Sequence, residues 1–169
     1  MISSENPIPA AKDLNEKEPL KIILAEDDKD DQELFMEALD AANVPSEVTT
    51  VENGEELLST LKDPTEENPD IVFIDINMPV KGGKQALAEI KSDQKLKDIP
   101  AVMLSTSNHP DEIEDTFNKG ANLYIQKPSS FTGFILILKK VFFLHWTKAL
   151  INPAKSIFFV SEKNIARKD

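Results

Sequence analysis

The run from Asp70 to Pro79 constrains this chain more than any other: Ile71, Val72, Phe73 and Ile74 are apolar without a break and lead straight into Asp75. A strand with one wet face alternates polar and apolar residues. One that is apolar on both faces has to be covered on both, which is the habit of a parallel sheet between layers of helices. Pro69-Asp70 and Met78-Pro79 bracket the run, so Asp75 falls at its carboxyl end. Ligands of open α/β sheets bind at that rim. A carboxylate held there between Ile74 and Ile76 is expected to work rather than to solubilise.

The rest of the chain supplies the partners such a strand needs. Leu20 to Ala25 is a second apolar run, ending in Glu26-Asp27-Asp28. From Lys29 the period changes: Leu34, Phe35, Ala38, Leu39 and Ala42 fall at helical spacing, with Asp28 or Asp30 as cap and Asn43-Val44-Pro45 as stop. Glu47 to Val51 alternates and reads as a more exposed strand, and Asn53-Gly54 turns it into a short helix through Leu57, Leu58 and Leu61. Gly82 and Gly83 open a helix bearing Ala86, Leu87 and Ile90. Ala101 to Leu104 is the next buried strand, emptying into Ser105-Thr106-Ser107-Asn108. A helix from Asp111 to about Lys119 stops at Gly120. Asn122 to Gln126 forms the last strand, before Lys127-Pro128, and Ser129 or Ser130 caps a long final helix expected to end before Pro153. Five strands alternating with five helices predict a doubly wound, five-stranded parallel sheet with right-handed crossovers. Residues 1–19 read as a flexible tail, 20–150 as one domain and 151–169 as a C-terminal tail holding one apolar patch, Ile157 to Val160.

Composition narrows the function. A formal net charge of −11 with no basic cluster repels a nucleic-acid backbone, so no nucleic-acid partner is expected. The chain has no cysteine, which removes disulfides and thiolate chemistry. The longest apolar run, Phe134 to Trp146, is broken by Lys139, Lys140 and His145, and the start lacks the pattern of a signal peptide. A cytoplasmic protein with no membrane contact is the expectation.

Parallel strands bring their carboxyl ends together. Glu26, Asp27, Asp75, Ser105, Thr106 and Lys127 are therefore expected on one rim. Three carboxylates in one place raise each other's pKa and need cations. Lys127 supplies one, and a divalent metal is the natural second. An all-oxygen ligand set points to Mg²⁺, which keeps waters and leaves room for a phosphoryl oxygen. An Asp beside Mg²⁺, an ammonium and a hydroxyl has the parts for accepting a phosphoryl group.

Taken together, Leu24-Ala25-Glu26-Asp27-Asp28, Ile74-Asp75-Ile76-Asn77-Met78-Pro79, Leu104-Ser105-Thr106 and Gln126-Lys127-Pro128 resemble the receiver domain of two-component response regulators (CheY-like). The Leu24-to-Leu39 segment and the Lys95-to-Pro100 connection make the likeness strongest to stand-alone receivers related to cyanobacterial phytochrome partners. The resemblance implies a flavodoxin-like (βα)5 fold with strand order 2-1-3-4-5. It implies Asp75 as phosphoacceptor, Asp27 as direct Mg²⁺ ligand, Glu26 acting through metal-bound water, and the Asn77 carbonyl completing the protein ligands. Ser105 matches the switch hydroxyl, Tyr124 the aromatic that turns inward with it, and Lys127 the phosphate-binding ammonium, with a cis bond to Pro128. Asn77, Thr106 and Ser107 are positions that tune phosphate lifetime in such proteins. Serine stands where threonine is common, and Thr106 where a small residue is usual, which is expected to narrow access to Asp75.

The implied role is a single-domain response regulator, phosphorylated on Asp75 by a histidine kinase or histidine phosphotransfer protein and signalling by protein contact. Self-phosphorylation and self-dephosphorylation would be its only catalysis. The competing readings are a pseudo-receiver scaffold and an aspartyl-phosphate phosphatase, the latter disfavoured because Asn77 stands where a second acid is needed. Taken singly, Glu26 to Asp31 reads as a helix-start charge run, with Asp30 and Asp31 solvated. His109 and His145 receive no role. The final helix carries more apolar surface than one side of a sheet covers. A homodimer through the last helix and last strand is expected, with packing of Ile157 to Val160 as the runner-up.

Overall fold

The computed structural model describes residues 18–145 and 154–165. Most of the expected N-terminal tail, and the expected end of the last helix before Pro153, lie outside the described residues.

Each expected strand forms: β1 (Leu20–Ala25), β2 (Ser46–Val51), β3 (Ile71–Asp75), β4 (Ala101–Ser105) and β5 (Leu123–Gln126), alternating with α1 (Lys29–Ala41), α2 (Gly54–Lys62), α3 (Gly83–Ser92), α4 (Pro110–Asn118) and α5 (Phe131–Lys140). All pairings are parallel. Helix starts follow local chemistry: Asp28, Asn53 and Ser130 each accept a backbone N–H three residues on, from Asp31, Glu56 and Gly133. Asn43 at φ 58° and Gly120 at φ 95° take the left-handed conformation that ends α1 and α4.

The unbroken apolar runs are explained by two cores. Ile22, Leu24, Ile71 and Phe73 face a cluster with α1 and α5, where Phe35 lies edge-on to Phe73 at 4.9 Å. Ile23, Ala25, Val72 and Ile74 face a second cluster with α2 and α3. Ile71 to Ile74 are each 0 % exposed, as a strand covered on both faces must be.

The sheet has six strands, not the expected five, in the order β2-β1-β3-β4-β5-β6. The sixth, β6 (Phe159–Val160), comes from the C-terminal segment and lies parallel to β5, with α6 (Lys155–Phe158) before it and α7 (Glu162–Ile165) after it. A free β5 edge would leave its backbone donors and acceptors to water or to another chain. Here the chain covers it. Phe158 is buried against Phe117 of α4 and near Tyr124 of β5, and Val160 joins the α1–α5 core. Lys155 pairs with Glu114 of α4 at 2.8 Å, and Glu162 accepts from Ser129 and Ser130 at the start of α5. A Cβ on Gly133 would meet the Glu162 side chain, which would have to move aside. The packing of Ile157 to Val160 that stood as the alternative to a dimer therefore occurs, on the β5 edge, with Val160 and the following α7 against α5.

After Lys140 the backbone widens into a π-helical turn (Val141–His145), which lets the consecutive Val141 and Phe142 both reach the core. Leu136 and Phe143 stay exposed. Among the described residues no helix is long and apolar enough to cross a membrane.

Candidate functional site

The acids arrive where β1 and β3 end. Glu26 follows β1 and is 2 % exposed, and Asp75 closes β3 at 6 %. From the far side of β4, Lys127 follows β5 and crosses to both: its Nζ donates to Glu26 Oε1 at 2.7 Å and to Asp75 Oδ2 at 2.9 Å. The Asn77 N–H donates to Asp75 Oδ1 at 3.1 Å, so both carboxylate oxygens of Asp75 are held. The loop after Asp75 packs tightly enough for this because Gly83 has no side chain: a Cβ there would lie 2.2 Å from the Asp75 carbonyl oxygen.

One ammonium does not balance these carboxylates. Burial raises the Glu26 carboxyl to about 8, with the neighbouring Asp75 adding to the rise and Lys127 opposing it. Burial alone would depress the Lys127 ammonium, but Glu26 and Asp75 outweigh it and hold the group above its ordinary value. Glu26 Oε2 is buried with no hydrogen-bond partner. Oxygens of Glu26, Asp27 and Asp75 lie within 4.8 Å of one another, with Asp27 exposed to solvent. A hard divalent cation fits this all-oxygen set, its missing positive charge and its orphaned buried oxygen.

Ser105 and Tyr124, on different strands, meet at one partner. Ser105, 1 % exposed, accepts the Ser107 N–H at 3.1 Å and donates to Glu112 Oε1 at 3.2 Å. The Tyr124 hydroxyl lies 2.8 Å from the Ser107 carbonyl and 3.0 Å from the same Glu112 oxygen. Burial pushes the Tyr124 phenol up to about 12. Thr106 is exposed and lines a cavity of about 160 Å³ beside Glu26, Asp31, Lys127 and Phe134. Asn77 is exposed at the rim and Ser107 half-buried behind Ser105.

Three departures from the sequence reading stand out. The cis bond expected between Lys127 and Pro128 is trans, there being no cis peptide among the described residues. The trans form is the lower-energy isomer of an X–Pro bond, and Lys127 reaches both acids in it. Asp31, expected to be solvated, reaches Lys127 Nζ at 3.3 Å from the first turn of α1, its side chain still 45 % exposed. The signal was available, since the third residue after the Asp28 cap points back toward the preceding strand end. Glu112 gave no signal, because its role depends on how α4 lies over β4 and β5. His109 caps α4, its Nδ1 accepting the Asp111 N–H at 3.2 Å.

Comparison with known proteins agrees with this geometry. The family model for the response regulator receiver domain matches residues 22–139. Response regulator Rcp1 of Synechocystis sp. is 34% identical over 113 residues, which is 64% of this chain and 77% of that protein. The crystal structure of the phosphorylated cyanobacterial phytochrome response regulator RcpA superposes with a TM-score of 0.68 at 40% identity, covering 75% of this chain and 95% of that one. The Mn²⁺-bound form of Rcp1 gives a TM-score of 0.69 at 28% identity, covering 80% and 100%. With flavodoxin-like architecture, an acidic pocket suited to a divalent metal and a family match over most of its length, this chain belongs to the response regulator receiver domains of two-component signalling.

Proposed function

We propose that this chain accepts a phosphoryl group on Asp75 from a histidine kinase or histidine phosphotransfer protein, and passes the signal on by contact with other proteins. The observation that carries the reading is Lys127 Nζ at 2.9 Å from Asp75 and 2.7 Å from Glu26, groups 52 and 101 positions away in the chain. That the relatives include a phosphorylated and a Mn²⁺-bound response regulator supports the same chemistry.

Glu26, Asp27, Asp75 and the Asn77 carbonyl would hold Mg²⁺, which when bound neutralises charge on the transferred group. An Asp75 carboxylate oxygen attacks phosphorus. The bond from phosphorus to the donor histidine nitrogen breaks as the new P–O bond forms, leaving its electron pair on the imidazole. Lys127 shifts from the carboxylate to a phosphoryl oxygen, and the Ser105 hydroxyl donates to another. Thr106 stands over the cavity beside Lys127 and slows approach to Asp75. Tyr124 carries the rearrangement toward β5 and α5, and the exposed Leu136 and Phe143 offer a second copy of the chain a surface to meet. A cytoplasmic setting follows from this role.

The test is incubation with Mg²⁺ and a small acyl phosphate or phosphoramidate, followed by intact mass. Wild type gains one phosphoryl group and Asp75→Asn gains none; equal labelling of both overturns the assignment. Turnover of small phosphoesters would instead favour the phosphatase reading.

A further inference from the structure

Ser105 has one hydroxyl proton, and it is already committed. It goes to Glu112 Oε1 at 3.2 Å, while the hydroxyl oxygen accepts the Ser107 N–H at 3.1 Å, so the side chain is fixed from both sides. The same Glu112 oxygen lies 3.0 Å from the Tyr124 hydroxyl, and Glu112 Oε2 lies 3.5 Å from Lys84 of α3. Glu112 is 23 % exposed, so its bonds are largely shielded from water. One carboxylate on α4 thus ties together β4, β5 and α3.

Resting on the phosphoacceptor reading above, we infer that Glu112 is the positioning residue that holds Ser105 in its unphosphorylated arrangement, as the acceptor a phosphoryl group on Asp75 must outcompete. For Ser105 to donate to that group, its proton has to leave Glu112. The exchange is close to balanced. When Ser105 departs, Glu112 keeps Tyr124 and Lys84 and is not orphaned, and Ser105 trades one anionic acceptor for another. Two arrangements of similar energy, biased by the charge on Asp75, make a switch. Glu112 then sets its resting poise, and the bias is felt at α4, on which the Phe158 ring and Lys155 rest.

The experiment is titration of the Mg²⁺-loaded full chain with trifluoroberyllate, a tetrahedral phosphoryl mimic, following the Ser105 amide by NMR. Glu112→Ala should bind about threefold to tenfold more tightly than wild type, the factor that one net hydrogen bond is worth. Glu112→Gln, which still accepts but without charge, should fall between and carries the test if the alanine variant folds poorly. In a Ser105→Ala background the gain should vanish, and Asp111→Ala, which removes a charge from the same helix without touching Ser105, should give none. Equal or weaker binding by both Glu112 variants overturns the inference, as does an undiminished gain without Ser105. If wild type and Asp75→Asn both fail to bind, the phosphoacceptor reading falls and this one with it. If wild type binds, Asp75→Asn does not, and Glu112 has no effect, only the inference falls.

Discussion

Two lysines sit at opposite ends of the same sheet and are shifted in opposite directions. At the carboxyl end, Lys127 faces the carboxylates of Glu26, Asp31 and Asp75, and its ammonium is held above its ordinary value despite burial. At the amino end, Lys91 donates to the carbonyls of Lys97 and Ile99 and to Asn122 Oδ1, and burial lowers it to about 8 with only Asp98 opposing. Both are substantially buried, so desolvation acts the same way on each. What differs is the charge of the partners: neutral dipoles satisfy an ammonium's hydrogen bonds without repaying its lost hydration, whereas carboxylates do both. The amino end is a closed staple joining α3 to the starts of β4 and β5. The carboxyl end is an over-acidic cluster with an orphaned oxygen, which gains when a cation joins it.

The largest effect separating the two ends should come from Lys127→Met. Losing the ammonium that meets the transferred group is expected to slow phosphoryl uptake from acetyl phosphate about 10²–10³-fold, the usual toll for removing one such donor. Uptake at the wild-type rate would show that Lys127 is a structural counter-ion only, like Lys91. The mirror variant, Lys91→Met, takes the ammonium from the Lys97 and Ile99 carbonyls, while Asn122 Oδ1 keeps the Ala101 N–H, and should lower stability to urea by about 2 kcal/mol while uptake stays at the wild-type rate. A parallel loss of uptake would break the distinction. Next in size is Mg²⁺ itself: at ten times its Kd, binding to the folded state alone is worth about 1.4 kcal/mol. Thermal unfolding should register that gain in wild type and Lys91→Met. It should shrink in Asp27→Asn, whose exposed carboxylate is the most accessible of the three oxygens.

How much of this the sequence disclosed depends on range. The strands, the caps at Asp28 and Ser130, each one of two candidates, and the convergence of Glu26, Asp75, Ser105 and Lys127 on one rim were legible, because apolar runs dictate parallel strands and parallel strands dictate a shared rim. Resemblance alone singled out Tyr124, whose hydroxyl lies at the Ser107 carbonyl and Glu112. Glu112 and the Lys91 staple were not legible, since each is defined by the angle at which a helix crosses the sheet, which no local pattern encodes. The sixth strand was missed for a related reason: Phe159-Val160 is too short to show a period, and only the open edge of β5 makes it a strand. Val80, at φ 64° in the loop after Asp75, is a β-branched residue in a conformation no propensity would assign it.

The finest test uses the sign of the two shifts. Lys91 holds its proton less tightly in the folded chain, at about 8, than in the unfolded chain, where the ordinary value is 10.5. Below pH 8 both states are protonated and the folded state bears the full cost of burying the charge. Between pH 8 and 10.5 the unfolded chain carries more protons, so the contribution of Lys91 to stability rises with pH. For Lys127 the order is reversed: the folded chain binds the proton more tightly, so its contribution is complete below about pH 10.5 and declines above it. Subtracting the stability of Lys91→Met from that of wild type, pH by pH, cancels every other titrating group and should leave a difference that climbs from pH 8 to 10. The same subtraction with Lys127→Met does not cancel Glu26, whose carboxyl at about 8 rises further once the ammonium is gone, so the mark of Lys127 itself is a downturn above about pH 10.5. If the Lys91 difference is flat from pH 8 to 10, three carbonyl-type acceptors stabilise a buried ammonium as well as carboxylates do, and the contrast between the two ends of the sheet would lie in geometry rather than in charge.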